Sequence, residues 1–485
     1  CRLNELANTE FSGWHCSVAP ERSCLTDKYD TRAKRNRYWQ VSSFNFYYNQ
    51  HDRPIFSAPV FSATMLNLIK KRLSAMRTAI TIICLSFLAA CSQPESNTDT
   101  GNTAVNMQKQ IQTQLLNAKP GDVITIPEGR FEMMRGLSLK VDGVTIKGAG
   151  MDKTVLDFKN QISGAEGLLV TASDFTIEDL AIEDAKGDAL KIMEGKNIIV
   201  RRVRTEWTNG PATENGAYGI YPVQTENTLI DGAVAIGASD AGIYVGQSRN
   251  VIVRNSRAEY NVAGIEIENT IDADVYDNIA TNNTGGVLVF NMPNLSMEGK
   301  NTRVFRNQIF ANNTPNFAPA GGAVAGVPAG SGISINSNDA IEIFDNDLKD
   351  NQTAHIVISS VFSTNYNTRD TATAFDPYPE TISIHDNRYE GGGDKPDTEY
   401  LPLLKTAAFG EDGSFPNVIW DGFVNKDKVV DGVLKPEYQI CIYNEASSEV
   451  FNIDAPNQFA SPKIGDTEHQ CKHAPLPAIE LALAD

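Results

Sequence analysis

The strongest constraint on how this chain folds is a pair of positions, two residues apart, whose second member is always Ile or Val. It occurs at Val144/Ile146, Phe175/Ile177, Ile198/Val200, Thr228/Ile230, Val251/Val253, Ala273/Val275, Thr302/Val304, Ile341/Ile343 and Ile382/Ile384. A second series, a small residue ahead of apolar-x-apolar, runs in step with it at Gly167, Ala189, Gly219, Gly242, Gly264, Gly286 and Gly332, with spacings of 22, 30, 23, 22, 22 and 46. The base period is therefore 22–23 residues, and the longer steps hold insertions. Alternation with period two puts both members of a pair on one face of a short strand. No single turn of such a chain can bury that face alone, so the turns must stack into a solenoid. At roughly 4.8 Å per turn, nine turns give a rod about 40–45 Å long with a continuous aliphatic interior.

Three residues after each Ile/Val lies a corner, read as Leu180, Val203, Ala233, Ser256, Asn278, Asn307, Asn346 and Asn387. The last four predict a ladder of stacked amides turned inward, satisfying the carbonyls of the bend. A second Asn follows at Asn261, Asn283 and Asn351, with Asn312 and Asn313 close by the corresponding place.

Ahead of the repeat, Met107, Ile111, Leu115 and Leu116 have helical spacing. The turn Lys119-Pro120-Gly121-Asp122, the strand Val123–Ile126 and the break Pro127-Glu128-Gly129 come next. This opening and the repeat resemble the right-handed parallel β-helix proteins of the pectin-lyase-like group, over about residues 120–393. The resemblance implies an all-β, single-stranded right-handed parallel β-helix solenoid with an N-terminal capping helix and a C-terminal appendage. It implies no single activity, because lyases, hydrolases, epimerases and noncatalytic surface proteins share the fold.

The N-terminal region carries a location signal. Lys70, Lys71, Arg72 and Arg77 precede an uncharged apolar run, Thr78–Ala90, which ends in Leu88-Ala89-Ala90-Cys91. The run has signal-peptide length and is short for a spanning helix. The tetrapeptide resembles the lipobox of bacterial lipoproteins, which implies cleavage before Cys91, diacylglycerol on its sulfur and a membrane anchor. Ser92 fits sorting to the outer membrane of a Gram-negative cell, facing the periplasm or the surface. We expect 1–64, which holds no Met, to be a non-native extension, 65–90 the signal peptide, 91–106 a flexible tether, 107–393 the β-helix and 394–485 a cap or arm. Cys441 and Cys471 are expected to form a disulfide in an oxidising compartment.

The candidate chemistry lies on the position after each Ile/Val, which faces outward. It reads Lys147, Glu178, Arg201, Asp231, Arg254, then Tyr276, Phe305, Phe344 and His385. Alternating charges suit a self-paired ladder that fixes register. They also suit a groove for acidic polysaccharide in which Arg201, Arg202 and Arg254 hold carboxylates and Lys147, Asp231 or Arg254 serves catalysis. The rings can stack on sugar faces or be covered by residues after 393. Insertions at 206–218, 290–301, 314–331 and 359–381 are further candidate surfaces, with Trp207, Tyr218, Tyr221 and Tyr244 as cleft-lining residues for substrate.

Net charge is −18, and residues 78–485 carry 30 Lys+Arg against 54 Asp+Glu, a surface that repels nucleic acid. Neither the paired-Asp and Gly-His-Gly motifs of polygalacturonases nor the Asp-Pro-His of alginate epimerases is present, and Asp376-Pro377-Tyr378 lacks the His. No close His/Cys cluster suggests a structural metal, so no metal ligand is assigned. Ca²⁺ remains a candidate cofactor through carboxylates such as Asp240, Glu266 and Glu268, although alternation alone would expose these. The sequence thus supports an envelope lipoprotein that binds or processes carbohydrate, as a polysaccharide lyase or uronate epimerase if enzymatic. The alternatives are a noncatalytic scaffold with an unidentified protein partner and, by family association, an accessory to an envelope redox protein.

Overall fold

The structure, a computed structural model, describes residues 100–364 and 375–483, with side chains from residue 107 onward. Cys91, the segments 1–64 and 65–90 and the first part of 91–106 lie outside the described residues. The helix spans Thr100–Asn117, so it begins inside the stretch expected to be tether. Ile111 and Leu115 bury their side chains on the first coil, while Leu116 is 71% exposed. Gln108 accepts the Met134 amide at 2.9 Å and so ties the cap to the rod. Among the described residues, no helix is long and apolar enough to cross a membrane.

Each coil adds a rung to three parallel sheets. The first sheet runs from Val123–Thr125 through Thr145–Lys147 to Glu380–His385 and Ile440–Tyr443. The second runs from Gly129–Glu132 to Arg388–Glu390. The third, of 12 strands, runs from Arg135–Leu139 to Val450–Asn452 and ends on the antiparallel strand Lys463–Gly465. The register is the one the repeat requires, with Ile230 beside Val253 and Val253 beside Val275. The paired positions form a column of buried side chains along the axis.

The corner between the first and second sheets has a backbone cause. The residue just before each corner position is left-handed: Asp179, Arg202, Gly232, Asn255, Asp277, Arg306, Asp345 and Asp386, with φ from 51° to 67°. That kink breaks strict alternation, so the chain points inward again after three residues rather than two. Asp, Asn and Gly adopt this conformation most readily, which explains their density here. Behind the kink both amide ladders form. Asn278, Asn307, Asn346 and Asn387 are linked side chain to side chain at 2.9–3.0 Å. Asn261, Asn283, Asn312 and Asn351 are linked at 3.0–3.1 Å, so Asn312 is the member of the second ladder in its coil.

Stacking does not stop at residue 393. Val418–Trp420 pairs with Ala354–Ser359, Val450–Asn452 pairs with Val418–Trp420, and Ile440–Tyr443 adds to the first sheet. Long connections between these rungs hide the period from a sequence reading. Cys441 and Cys471 are joined by a disulfide. Beyond it the chain turns back over the first sheet, where the Leu476 amide donates to Glu342 and the Ile479 amide to Asp274, at 3.0 and 3.2 Å.

Candidate functional site

The outer face of the first sheet holds most of the charged residues singled out from sequence, and they bind one another. Lys147 Nζ lies 2.7 Å from Glu178, which Arg201 and Arg202 also approach, at 3.7 and 3.4 Å. Arg202 pairs with Asp179 at 2.6 Å. Arg254 bonds Asp231 at 2.9 Å and donates to the Tyr276 hydroxyl at 3.2 Å. Hydrogen bonding to Glu178 raises the pKa of Lys147. At Asp231 burial acts upward, but bonds from Asn255 and Arg254 outweigh it and hold the carboxyl low. Both groups are thereby fixed in their charged forms.

The rings above them form one stack: Tyr276, Phe305, Phe344, His385 and Tyr443, with centroids 4.4–5.1 Å apart and planes within 16°. Each inner ring therefore spends both faces on its neighbours and leaves its edge outward, whereas sugar stacking needs a face. The returning C-terminal arm is anchored on the adjacent row, at Asp274 and Glu342.

The outer face of the third sheet is different. Its central outward row includes Lys191 beside Tyr221, then Tyr244, Glu266, Leu288, Ser334 and Val357 on successive rungs. The rings of Tyr218, Tyr221 and Tyr244 meet with centroids 4.3–4.8 Å apart. Lys191 Nζ sits 4.8 Å from the Tyr221 ring centre and 3.2 Å from Asp188. The Tyr218 hydroxyl donates to Asp240 at 3.3 Å, and that of Tyr244 to Glu268 at 3.1 Å. Gly246 lacks the side chain that would collide with the Tyr244 hydroxyl.

These carboxylates were expected at the surface, yet Asp240, Glu266 and Glu268 are buried, at 9%, 1% and 7% exposure. The 314–331 insertion packs over the tyrosines beside them. Its Phe317, Ala318, Val324 and Val327 pack with Leu288 and Phe290 over the tyrosines. Neither oxygen of Glu266 has a hydrogen-bond partner among the described residues, nor has Oδ1 of Asp240. Burial, and then the neighbouring Asp240 and Glu268 charges, push the Glu266 carboxyl well above the ordinary range. Burial likewise raises Asp240, against the Tyr218 hydrogen bond. Burial pushes Tyr221 up to about 12 and raises Tyr218 and Tyr244 well above the usual phenol range. Burial thus favours the protonated forms of Glu266, Asp240 and the three phenols, groups able to donate hydrogen bonds, with Lys191 beside them.

Of the residues singled out from sequence, then, the fold brings Tyr221 and Tyr244 together with Tyr218. Trp207 lies in the rod interior, its indole donating to the Ala185 carbonyl at 2.8 Å. Asp188 and Lys191 escaped the sequence reading because they sit in a loop and on a rung with no motif. The one hint was the Ala- and Val-rich 314–331 loop, too apolar to stay in water. Among the described residues, the carboxylates close enough to share a cation are Asp339, Asp376 and Glu380, within 4.8 Å. The Lys428 ammonium already bonds Asp376 and Glu380 there.

Comparison with known proteins bears on the fold. Residues 138–301 match the family model for a right handed beta helix region. No curated protein sequence matches the chain. Among solved structures, the A-module of a mannuronan C-5 epimerase from Azotobacter vinelandii is similar at 18% identity and a TM-score of 0.44, over 60% of this chain and 85% of that one. An alginate lyase from a Paenibacillus strain is similar at 15% and 0.33, over 59% and 96%. A pectate lyase is similar at 12% and 0.36, over 63% and 81%. Identities and scores of this size carry no argument about activity or substrate. The chain folds as a parallel β-helix, and over residues 138–301 it matches the family model for the right-handed form.

Proposed function

We propose that this protein binds and processes carbohydrate on the outer face of the third sheet, between residues 188 and 268. The observation that carries the reading is Glu266, fully buried with neither oxygen partnered among the described residues. An unsatisfied buried carboxyl is costly, and such groups persist where a ligand uses them. Tyr218, Tyr221 and Tyr244 supply rings and hydroxyls for sugar, and the 314–331 loop must move to admit it. The finer reading is an acidic polysaccharide. Four carboxyls would repel a uronate if ionised, but Asp240 and Glu266, neutral when protonated, donate to its carboxylate, with Lys191 balancing charge. Withdrawal of charge from that carboxylate acidifies the adjacent C5–H. Removal of the C5 proton with loss of the C4 oxygen is the lyase reaction; its return from the opposite face is epimerisation.

The test incubates the protein with alginate, pectate and neutral glycans. It follows unsaturated products by absorbance, epimerisation by NMR and binding by calorimetry, for wild type and Asp240→Ala. Failure to bind or turn over any glycan would remove the reading. A second reading, a noncatalytic scaffold, is favoured by the self-paired, arm-covered first sheet, and binding without turnover would select it. For location we propose the lipid-anchored outer-membrane form. Labelling with a radioactive fatty acid, lost in Cys91→Ala, tests it.

A further inference from the structure

A second feature of the third sheet belongs to no part of the carboxyl and tyrosine cluster. Beyond Leu288 on the same row, a cavity of about 330 Å³ opens between the 321–328 part of the covering loop and the C-terminal residues. Phe290, Val327, Val357, Leu401, Ile419 and Ile453 give it a mainly apolar wall. The floor carries Ser334, 5% exposed, whose hydroxyl has no partner among the described residues. Asp421, also at the wall, is engaged: Ser360 and Ser363 donate to one of its oxygens and the Phe423 amide to the other.

Ser334 stands two rungs beyond Glu266, through Leu288, or about 10 Å along the axis at 4.8 Å per rung. The cavity and the cluster thus share one row, and the same loop walls the first and covers the second. A bare sugar ring would strip its hydroxyls of water against this lining and recover few hydrogen bonds. A hydrocarbon chain with one polar atom fits better, its ester carbonyl accepting from Ser334 while its methylenes bury on Val357, Leu401 and Ile419.

We infer that the cavity holds an acyl or alkyl chain, so that the carbohydrate handled here is an acylated or alkylated one. The carbohydrate half of this inference rests on the proposed function; the chain half rests on the cavity. Calorimetry on the intact protein can separate them, using octyl glucuronide below its micelle concentration, methyl glucuronide and octanoate. The expected result is that the octyl compound binds at least tenfold more tightly than the methyl one. That advantage should vanish in Val357→Trp and in Leu401→Trp, two separate ways to fill the cavity, while methyl glucuronide binding is kept. Equal affinities for the two glucuronides in the wild type would overturn the inference and leave the carbohydrate reading standing. Binding of octanoate and octyl glucuronide without any binding of methyl glucuronide would support the chain site and count against the carbohydrate reading. Absence of binding by both octyl compounds would also overturn the inference.

Discussion

The first and third sheets share one interior and have opposite exteriors. Inside, both present the same column of Ile and Val. Outside, the first sheet spends its polar groups on itself: Lys147 on Glu178, Arg254 on Asp231, ring on ring, and the C-terminal arm on Asp274 and Glu342. The third sheet buries carboxyls without completing their hydrogen bonds and keeps a cavity beside them. A solenoid must stabilise every coil through its interior, and its outer faces are then free to differ. Paired charges mark the face that holds the rod in register. A buried carboxyl with both oxygens unpartnered among the described residues, as at Glu266, marks the face to which something else must come.

The comparison can be broken most sharply by activity. Asp240→Ala, which removes a donor to the uronate carboxylate, should lower turnover of the responsive glycan by roughly 10²–10³-fold, the usual worth of one preorganised donor. Asp231→Asn on the first sheet should leave it close to wild type. Equal losses would erase the distinction between the faces.

Stability gives the next largest effect. Asp274→Ala leaves Arg303 half of a buried pair and frees the Ile479 amide. We expect a loss of about 3–5 kcal/mol in urea unfolding, with faster proteolysis in the 475–483 arm.

Glu266→Gln should act in the other direction. The raised carboxyl pKa means that the folded state holds the proton more tightly than the unfolded chain does. Its contribution is complete below the ordinary carboxylate range and is lost as pH rises through the raised value. The amide removes that loss, so the variant should gain on the order of 1–3 kcal/mol at about pH 8 and little at about pH 4. A gain that ignores pH would show that Glu266 does not titrate as argued. By the same protonation, uronate binding to the wild type should weaken as pH rises.

The smallest effect belongs to the partly exposed ladder. Arg254→Ala should cost less than about 1 kcal/mol, because solvent screens the pair. Lys147→Ala should leave the thermal midpoint unchanged. A large loss at either position would make the first sheet more than a register device.

The architecture was legible in the chain because it is periodic. A 22–23-residue beat of Ile and Val fixes parallel stacking, and Asn at a constant offset fixes the amide ladders, since each residue meets its own equivalent one turn away. The alternation of Lys147, Glu178, Arg201, Asp231 and Arg254 could be read as a ladder for the same reason. The rungs after 393 were not legible, because the connections between them, 391–417, 421–439 and 444–449, differ in length and keep no period. Nor was the candidate site. Tyr221 and Tyr244 could be picked as outward-facing, but alternation says only that Glu266 leaves the core, not that it leaves water-accessible space.

What the sequence determined by itself is the inside of this protein: the repeat, the strand faces, the corners and the column of aliphatic side chains. These follow from contacts at one fixed spacing. What only the tertiary structure decided is the fate of the outside. Whether an outward carboxyl meets solvent, a partner or a buried void depends on where aperiodic segments such as 314–331 and 401–453 come to rest. Here 314–331 packs on the third sheet over the tyrosines beside Glu266, and 401–415 packs on its later rungs. Burial by a distant segment is what turns an ordinary exposed acid into a proton-holding one.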